Sequence, residues 1–236
     1  MHISKCCSAS SQAFRANLPE HSYEQFQLKI SKWKKEYGEI DANTFQFVTN
    51  KFEECFFRQA SRHPRTDLLS NELNLTGLGL TSIPDVFEFS PPTLFCINVS
   101  GNALNDLPHS LTCATHLNTL KVAYNKFTNC PEIITQLKSL EKLDFNNNCL
   151  STLPQSFSNL ENLKDVNFDF NMFENTPDAL KQLFLLETVR INQIPSEIIL
   201  IDLINLPLCK VYGVSGKLDR NTVLNDKNLS FKSNLN

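Results

Sequence analysis

The side chains able to do chemistry are few, and their spacing does not suit it. Histidine occurs five times, at His2, His21, His63, His109 and His116. None has a second ligand or a nucleophile at a metal or triad spacing, and His109 and His116 fall in a segment expected to face solvent. Six glycines leave no glycine-rich loop to cradle a phosphate. The eight cysteines contain no CxxC pair for zinc. Cys96, Cys113, Cys130 and Cys149 are scattered, and the adjacent Cys6 and Cys7 are the one place suited to palmitate. The best-placed acids are Asp144, Asp165 and Asp169. Paired carboxylates can act as acid and base, but on an open surface solvent keeps their pKa values ordinary, and acid–base catalysis normally needs shelter. The expectation is a protein that is not an enzyme and takes no cofactor and no metal.

Those acids sit at fixed places in a repeat, and the repeat must position them. Leu94-Phe-Cys-Ile97-Asn-Val99-Ser-Gly-Asn102-Ala-Leu104 runs to Leu107-Pro108. Leu117, Leu120, Val122, Asn125 and Phe127 run to Cys130-Pro131 in the same way. Leu140, Leu143, Phe145, Asn148 and Leu150 run to Leu153-Pro154, and Leu163, Val166, Phe168, Asn171 and Phe173 to Thr176-Pro177. An earlier copy, Leu73-Asn-Leu75-Thr-Gly-Leu78-Gly-Leu80, ends at Ile83-Pro84. Asn102, Asn125, Asn148 and Asn171 are each 23 residues apart. The pattern is LxxLxLxxNxL. Its LxL triplet alternates in and out, as a short strand must, and successive strands stack into a parallel sheet. Each Asn falls where the chain leaves that sheet, so its amide can satisfy backbone groups that the turn would bury unpaired. These four asparagines form an expected structural ladder. After each Pro, apolar residues recur three apart (Ile134 and Leu137, Phe157 and Leu160, Leu180 and Leu183), which is helical or 3₁₀ spacing on a convex side.

Outward positions on the concave side then fall into columns. One is Asn74, Asn98, Lys121, Asp144, Asn167 and Arg190. The next is Thr76, Ser100, Ala123, Asn146 and Asp169. The third is Gly77, Gly101, Tyr124, Asn147 and Phe170. Aromatics ringed by Asn and Asp have the composition of protein-binding surfaces. The expected partner-binding residues are Lys121, Tyr124, Asp144, Asn146, Asn147, Asn167, Asp169 and Phe170, with Thr135 and Lys138 as exposed convex controls. The competing reading of Phe170 is that it tucks against the array edge.

The repeats, Leu73 to about Val211, resemble intracellular leucine-rich-repeat proteins with an LPxxL step, as in Ras-suppressor proteins and SHOC2-like arrays. The stretch from Leu163-Lys-Asp-Val-Asn-Phe through Pro177-Asp-Ala-Leu180-Lys-Gln-Leu183 to Leu186-Glu-Thr-Val189 is similar to the leucine-rich repeat-containing protein 20 group. The resemblance implies a cytosolic interaction module: a scaffold or adaptor, or alternatively a regulator of a small GTPase or protein phosphatase. It names no partner. The expected fold is α/β, a leucine-rich-repeat solenoid with a curved parallel sheet and a helical or 3₁₀ convex side, preceded by an N-terminal helical hairpin. The boundaries are 1–66 for a patternless start and hairpin, 67–211 for the repeats, and 212–236 for a polar tail.

In the hairpin, Phe26, Ile30, Trp33 and Tyr37 line one face of a first helix, with Ser22 and Gln25 as a capping box and Gly38 as its stop. A second helix begins near Asp41, carries Phe45, Val48, Phe52, Cys55 and Phe56, and stops by Pro64. It either caps the first repeat or offers its aromatic stripe to a partner. At the other end a sixth copy starts at Leu186, Val189 and Ile191 and jumps to Ile194-Pro195, as though five residues including the Asn were absent. A seventh fragment runs Leu206, Cys209, Val211.

Composition bounds the remaining classes. Of 236 residues, 41% are hydrophobic, enough for a core, and the formal net charge is −3 with both signs mixed along the chain. That excludes the basic footprint of a nucleic-acid binder. No apolar run approaches the roughly 20 residues of a membrane span, and Met-His-Ile-Ser-Lys begins no secretory signal. The reading is a cytoplasmic or nuclear monomer with reduced thiols that binds another protein.

Overall fold

The computed structural model describes residues 20–57, 72–194, 198–199, 202–203, 206, 209–213 and 216–218. Cys6, Cys7, Pro64 and most of the stretch read as a polar tail lie outside these. Helix α1 (Glu20–Tyr37) and helix α2 (Ala42–Phe57) form the hairpin. Gly38 ends α1 with φ of 82°, a left-handed stop that glycine takes without a Cβ penalty. Ser22 lies inside α1, so the capping box is not used. Asp41 starts α2, its Oδ1 accepting the N–H groups of Asn43 and Thr44, both at 3.0 Å.

The hairpin's aromatic stripe is spent on the first repeat. Phe26, Ile30, Trp33, Val48, Phe52 and Phe56 are buried in a core shared with the repeats. Phe52 and Phe56 meet Phe87 edge-on, with ring centroids 5.7 and 5.9 Å apart. Trp33 Nε1 donates to Ser82 Oγ at 3.0 Å, and the Tyr37 hydroxyl accepts the Thr81 N–H at 3.0 Å. A stripe buried this way is not free to dock elsewhere.

Seven parallel strands stack in chain order: β1 (Glu72–Asn74), β2 (Cys96–Asn98), β3 (Thr119–Lys121), β4 (Lys142–Asp144), β5 (Asp165–Asn167), β6 (Thr188–Arg190) and β7 (Lys210–Gly213). Strand β8 (Gly216–Leu218) pairs antiparallel with β7, so the stretch assigned to a tail begins with sheet. Leu73, Ile97, Leu120, Leu143, Val166, Val189 and Val211 lie side by side in register, and all are buried. Across the core stand 3₁₀ turns at Phe87–Phe89, His109–Cys113, Glu132–Gln136, Gln155–Asn159 and Asp178–Gln182. Extended prolines 108, 154 and 177 precede three of them, and Pro131 precedes the fourth with φ −57° and ψ 130°. Between sheet and turns runs a phenylalanine spine: Phe127 to Phe145 at 5.6 Å, Phe145 to Phe168 at 6.2 Å and Phe168 to Phe173 at 5.3 Å between centroids. Each buried phenylalanine contributes about 1.5–3 kcal/mol relative to exposure.

Three expectations change. The register β6–β7 puts Val211 opposite Val189, two residues from its place in the fragment Leu206-Cys209-Val211. The step from Thr188 to Lys210 is 22 residues, so the sixth repeat is one residue short of its neighbours, not five. Ile194 enters the core early, and a helical turn takes up the length, with Leu203 N–H donating to Ile199 O at 2.9 Å. Thr135 is 2% exposed, and its hydroxyl donates to Glu132 O at 2.8 Å. It faces the core, because the tight 3₁₀ turn brings it round beside Ile134.

Candidate functional site

The asparagine ladder builds the rim of the sheet. Asn148 Nδ2 donates to Val122 O at 3.0 Å and Phe145 O at 2.9 Å, while its Oδ1 accepts the Phe127 N–H at 3.1 Å. One amide thus ties the strand end of its own repeat to the strand end and turn of the repeat before. Asn125 and Asn171 repeat the arrangement. Asn102 reaches back to the first repeat, donating to Leu75 O and accepting from Leu78 and Leu80. The first repeat therefore needs no Asn at Leu78.

The residue just before each ladder asparagine, and Gly77 before Leu78, share one backbone conformation. Gly77, Gly101, Tyr124, Asn147 and Phe170 all have positive φ, between 53° and 70°. The first two are glycines, and asparagine tolerates this left-handed region. A tyrosine or phenylalanine there costs about 1–2 kcal/mol in backbone strain. Tyr124 is nevertheless 62% exposed and Phe170 59%. Phe170 does not tuck against an edge. Since neighbouring strands lie about 4.7–4.9 Å apart, the two rings stand roughly 10 Å apart with Asn147 between them.

The other expected binding residues share this face in part as structural members. Lys121, Asp144 and Asn167 stand side by side on β3, β4 and β5. Asp144 Oδ1 accepts the Asn146 N–H and Asn167 Oδ1 the Asp169 N–H, at 3.0 and 3.1 Å, so both carboxyl and amide close the strand end. Asn146 Oδ1 accepts from the Asn147 amide. Lys121 and Arg190 make no such turn, and Arg190 stacks over the Tyr212 ring with its guanidinium 5.0 Å from the centroid.

Asp144 and Asp165 stand in different columns of the sheet, and Asp144 lies near Asp169. Burial pushes the Asp169 carboxyl above its ordinary range, with the nearby Asp144 adding to the rise and the Asn192 N–H and Arg190 opposing it. Its pKa is therefore not the ordinary one expected of an open surface; the short sixth repeat folds Asn192 over it, Asn192 N–H donating to Asp169 Oδ1 at 2.8 Å. Asp165 stands instead in register with Lys142 and Thr188. Among the described residues no group of three or more His, Cys, Asp or Glu side chains could hold a metal ion. His109 and His116 are both exposed. No helix among these residues is long and apolar enough to cross a membrane.

Two features escaped the sequence reading. Glu72, Cys96, Thr119, Lys142, Asp165, Thr188 and Lys210 form a further outward column, legible from the same two-residue alternation. Asn192 contributes to the face through its side chain, and no periodicity announces it.

Parts of this chain are similar to known proteins. The Leucine rich repeat family matches residues 115–173. Adenylate cyclase of Schizosaccharomyces pombe is 29% identical over 109 residues, 39% of this chain and 6% of the cyclase. Among solved structures, a leucine-rich-repeat protein of Leptospira interrogans is 26% identical, covering 57% of this chain and 36% of its own, with a TM-score of 0.46. The ectodomain of the Arabidopsis thaliana receptor kinase GASSHO1/SCHENGEN3 is 21% identical over 60% of this chain and 18% of its own, at 0.48. The chain thus spans well under half the length of each of these proteins. The in-register parallel strands, the asparagine ladder at their ends and the family match over the central repeats make this chain a leucine-rich-repeat solenoid.

Proposed function

We propose that the sheet face is a protein-docking surface and that the chain acts as a scaffold or adaptor in the cytoplasm, as a monomer and without catalysis of its own. The observation that carries this reading is the pair Tyr124 and Phe170. Both are large, exposed and held at a backbone conformation that disfavours them. Strain kept at exposed aromatics has a rationale when those rings meet a partner, and aromatics surrounded by polar side chains dominate binding energy at interfaces. Proteins with this fold generally bind other proteins, which agrees with the reading.

The test uses Tyr124→Gly and Phe170→Gly. Glycine removes the ring and relieves the strain together, so folding should be nearly unaffected. Bait protein carrying either change should lose partners that the native chain captures, with affinity falling by about 1–2 kcal/mol or more per anchor. Gln136→Ala and Glu161→Ala, exposed on the opposite side, should capture as the native chain does. The reading fails if the opposite-side pair abolishes capture while the glycine pair does not.

A further inference from the structure

Phe170 is held differently from the rest of its ladder. The N–H groups of Gly77, Gly101, Tyr124 and Asn147 donate to backbone carbonyls of the next repeat, those of Ser100, Ala123, Asn146 and Asp169, at 2.8–3.0 Å. By the same geometry the acceptor for Phe170 would be the backbone carbonyl of residue 192. Instead Phe170 N–H donates to the side-chain Oδ1 of Asn192 at 2.8 Å, and Asn192 N–H donates back to Asp169 Oδ1 at 2.8 Å. The chain leaves the lattice here, because Ile194 turns into the core early. The backbone of the sixth repeat no longer presents a carbonyl at the right place, and an amide side chain does so in its stead.

We propose that Asn192 is the positioning residue for Phe170: its side-chain oxygen replaces the missing carbonyl and keeps Phe170 in line with Tyr124 across the face. The importance of this rests on the reading of Phe170 as a docking anchor. Asparagine suits the task because one residue supplies both the acceptor for Phe170 and, through its own N–H, the donor for Asp169. The arrangement couples the last exposed ring of the face to the docking of the sixth repeat. By linkage, a partner that holds Phe170 also holds that repeat in place.

Two measurements on the full chain test this. In the native protein, a through-hydrogen-bond coupling should connect the Phe170 amide nitrogen to the Asn192 side-chain carbon Cγ. A coupling to the Asn192 backbone carbonyl carbon, or none to Cγ, overturns the proposal. In Asn192→Ala, the Phe170 amide should exchange with solvent about tenfold faster or more, while the Tyr124 and Asn147 amides keep their native rates. Asn192→Asp, which retains the acceptor oxygen, should restore most of the protection. Equal acceleration of all three amides would reduce Asn192 to a general stabiliser, and unchanged exchange at Phe170 would remove it altogether. Neither measurement involves a partner, so failure here is distinct from failure of the docking reading, which the glycine variants decide.

Discussion

Replacing Asn148 by alanine removes one rung of the amide ladder at its most enclosed point. Asn148 is 7% exposed. The substitution leaves the Phe127 N–H without its acceptor and takes a donor from the Val122 and Phe145 carbonyls. One orphaned buried N–H costs about 1–3 kcal/mol, and each lost amide bond about 1 kcal/mol net. The expected loss is about 3–5 kcal/mol, at the upper end of point mutations. Asn102→Ala should cost less, about 1 kcal/mol, because Asn102 is half-exposed and water can replace its bonds. Asn147→Ala makes a neighbouring comparison. It strips an exposure-tolerant residue from a left-handed position, for about 0.5–1 kcal/mol. Urea denaturation followed by circular dichroism, extrapolated linearly to water, ranks the three. Asn148→Ala losing no more than Asn147→Ala would refute the ladder as a source of stability.

Asp169 holds its proton more tightly in the folded chain than unfolded, because burial raises its pKa from 3.8. Its contribution to stability is therefore complete below that value and lost as pH rises through the raised one. Relative to the native chain, Asp169→Asn should gain in stability as pH is raised from 3.8, and a difference that shrinks over that range would contradict the assignment. Burial pushes the Cys55 and Cys209 thiols up to about 12 and Cys96 to about 11, and raises Cys130 as well. Since the thiolate is the reactive form, alkylation of native protein near pH 7.5, read by peptide mass spectrometry, should mark exposed Cys113 well before Cys130 and leave Cys130 untouched. Equal rates would show that the core around Cys130 is open. Trp33 is the chain's one tryptophan and sits where the hairpin meets the first repeat. Its fluorescence should change at the same urea concentration as the sheet's circular dichroism, whereas two separated midpoints would make the hairpin an independent unit.

What was legible in the sequence is what repeats. Each LxL triplet fixes strand register because a slip of one residue would turn Leu143 or Val166 out of the core, and Asn148 is interpretable because its amide serves the carbonyls equivalent to those Asn125 serves one repeat earlier. Departures from the period were harder to read. The sixth copy looked five residues short because Ile194-Pro195 resembles the usual step after the ladder, yet the missing turn is made up by a helical one around Ile199 and Leu203. Thr135 looked like a surface residue because Thr is polar, and only the 3₁₀ turn places it inward. The strain at Tyr124 and Phe170 was hidden because outward columns carry no periodic signal for φ. The two glycines at 77 and 101 in the same column were its one trace. Asn192 escaped for the opposite reason, since it works by side chain where its counterparts Ser100, Ala123, Asn146 and Asp169 accept through the backbone.

The central claim is that another protein seats on the sheet face around Tyr124 and Phe170. The most direct measurement places a photo-crosslinking benzophenone amino acid at position 124 or 170 of the full chain in its native cell, with the same group at Gln136 or Glu161 for comparison. A discrete protein adduct is expected from 124 and from 170, and none from the two opposite-side positions. Adducts from 136 and 161 with none from 124 or 170 would contradict that claim.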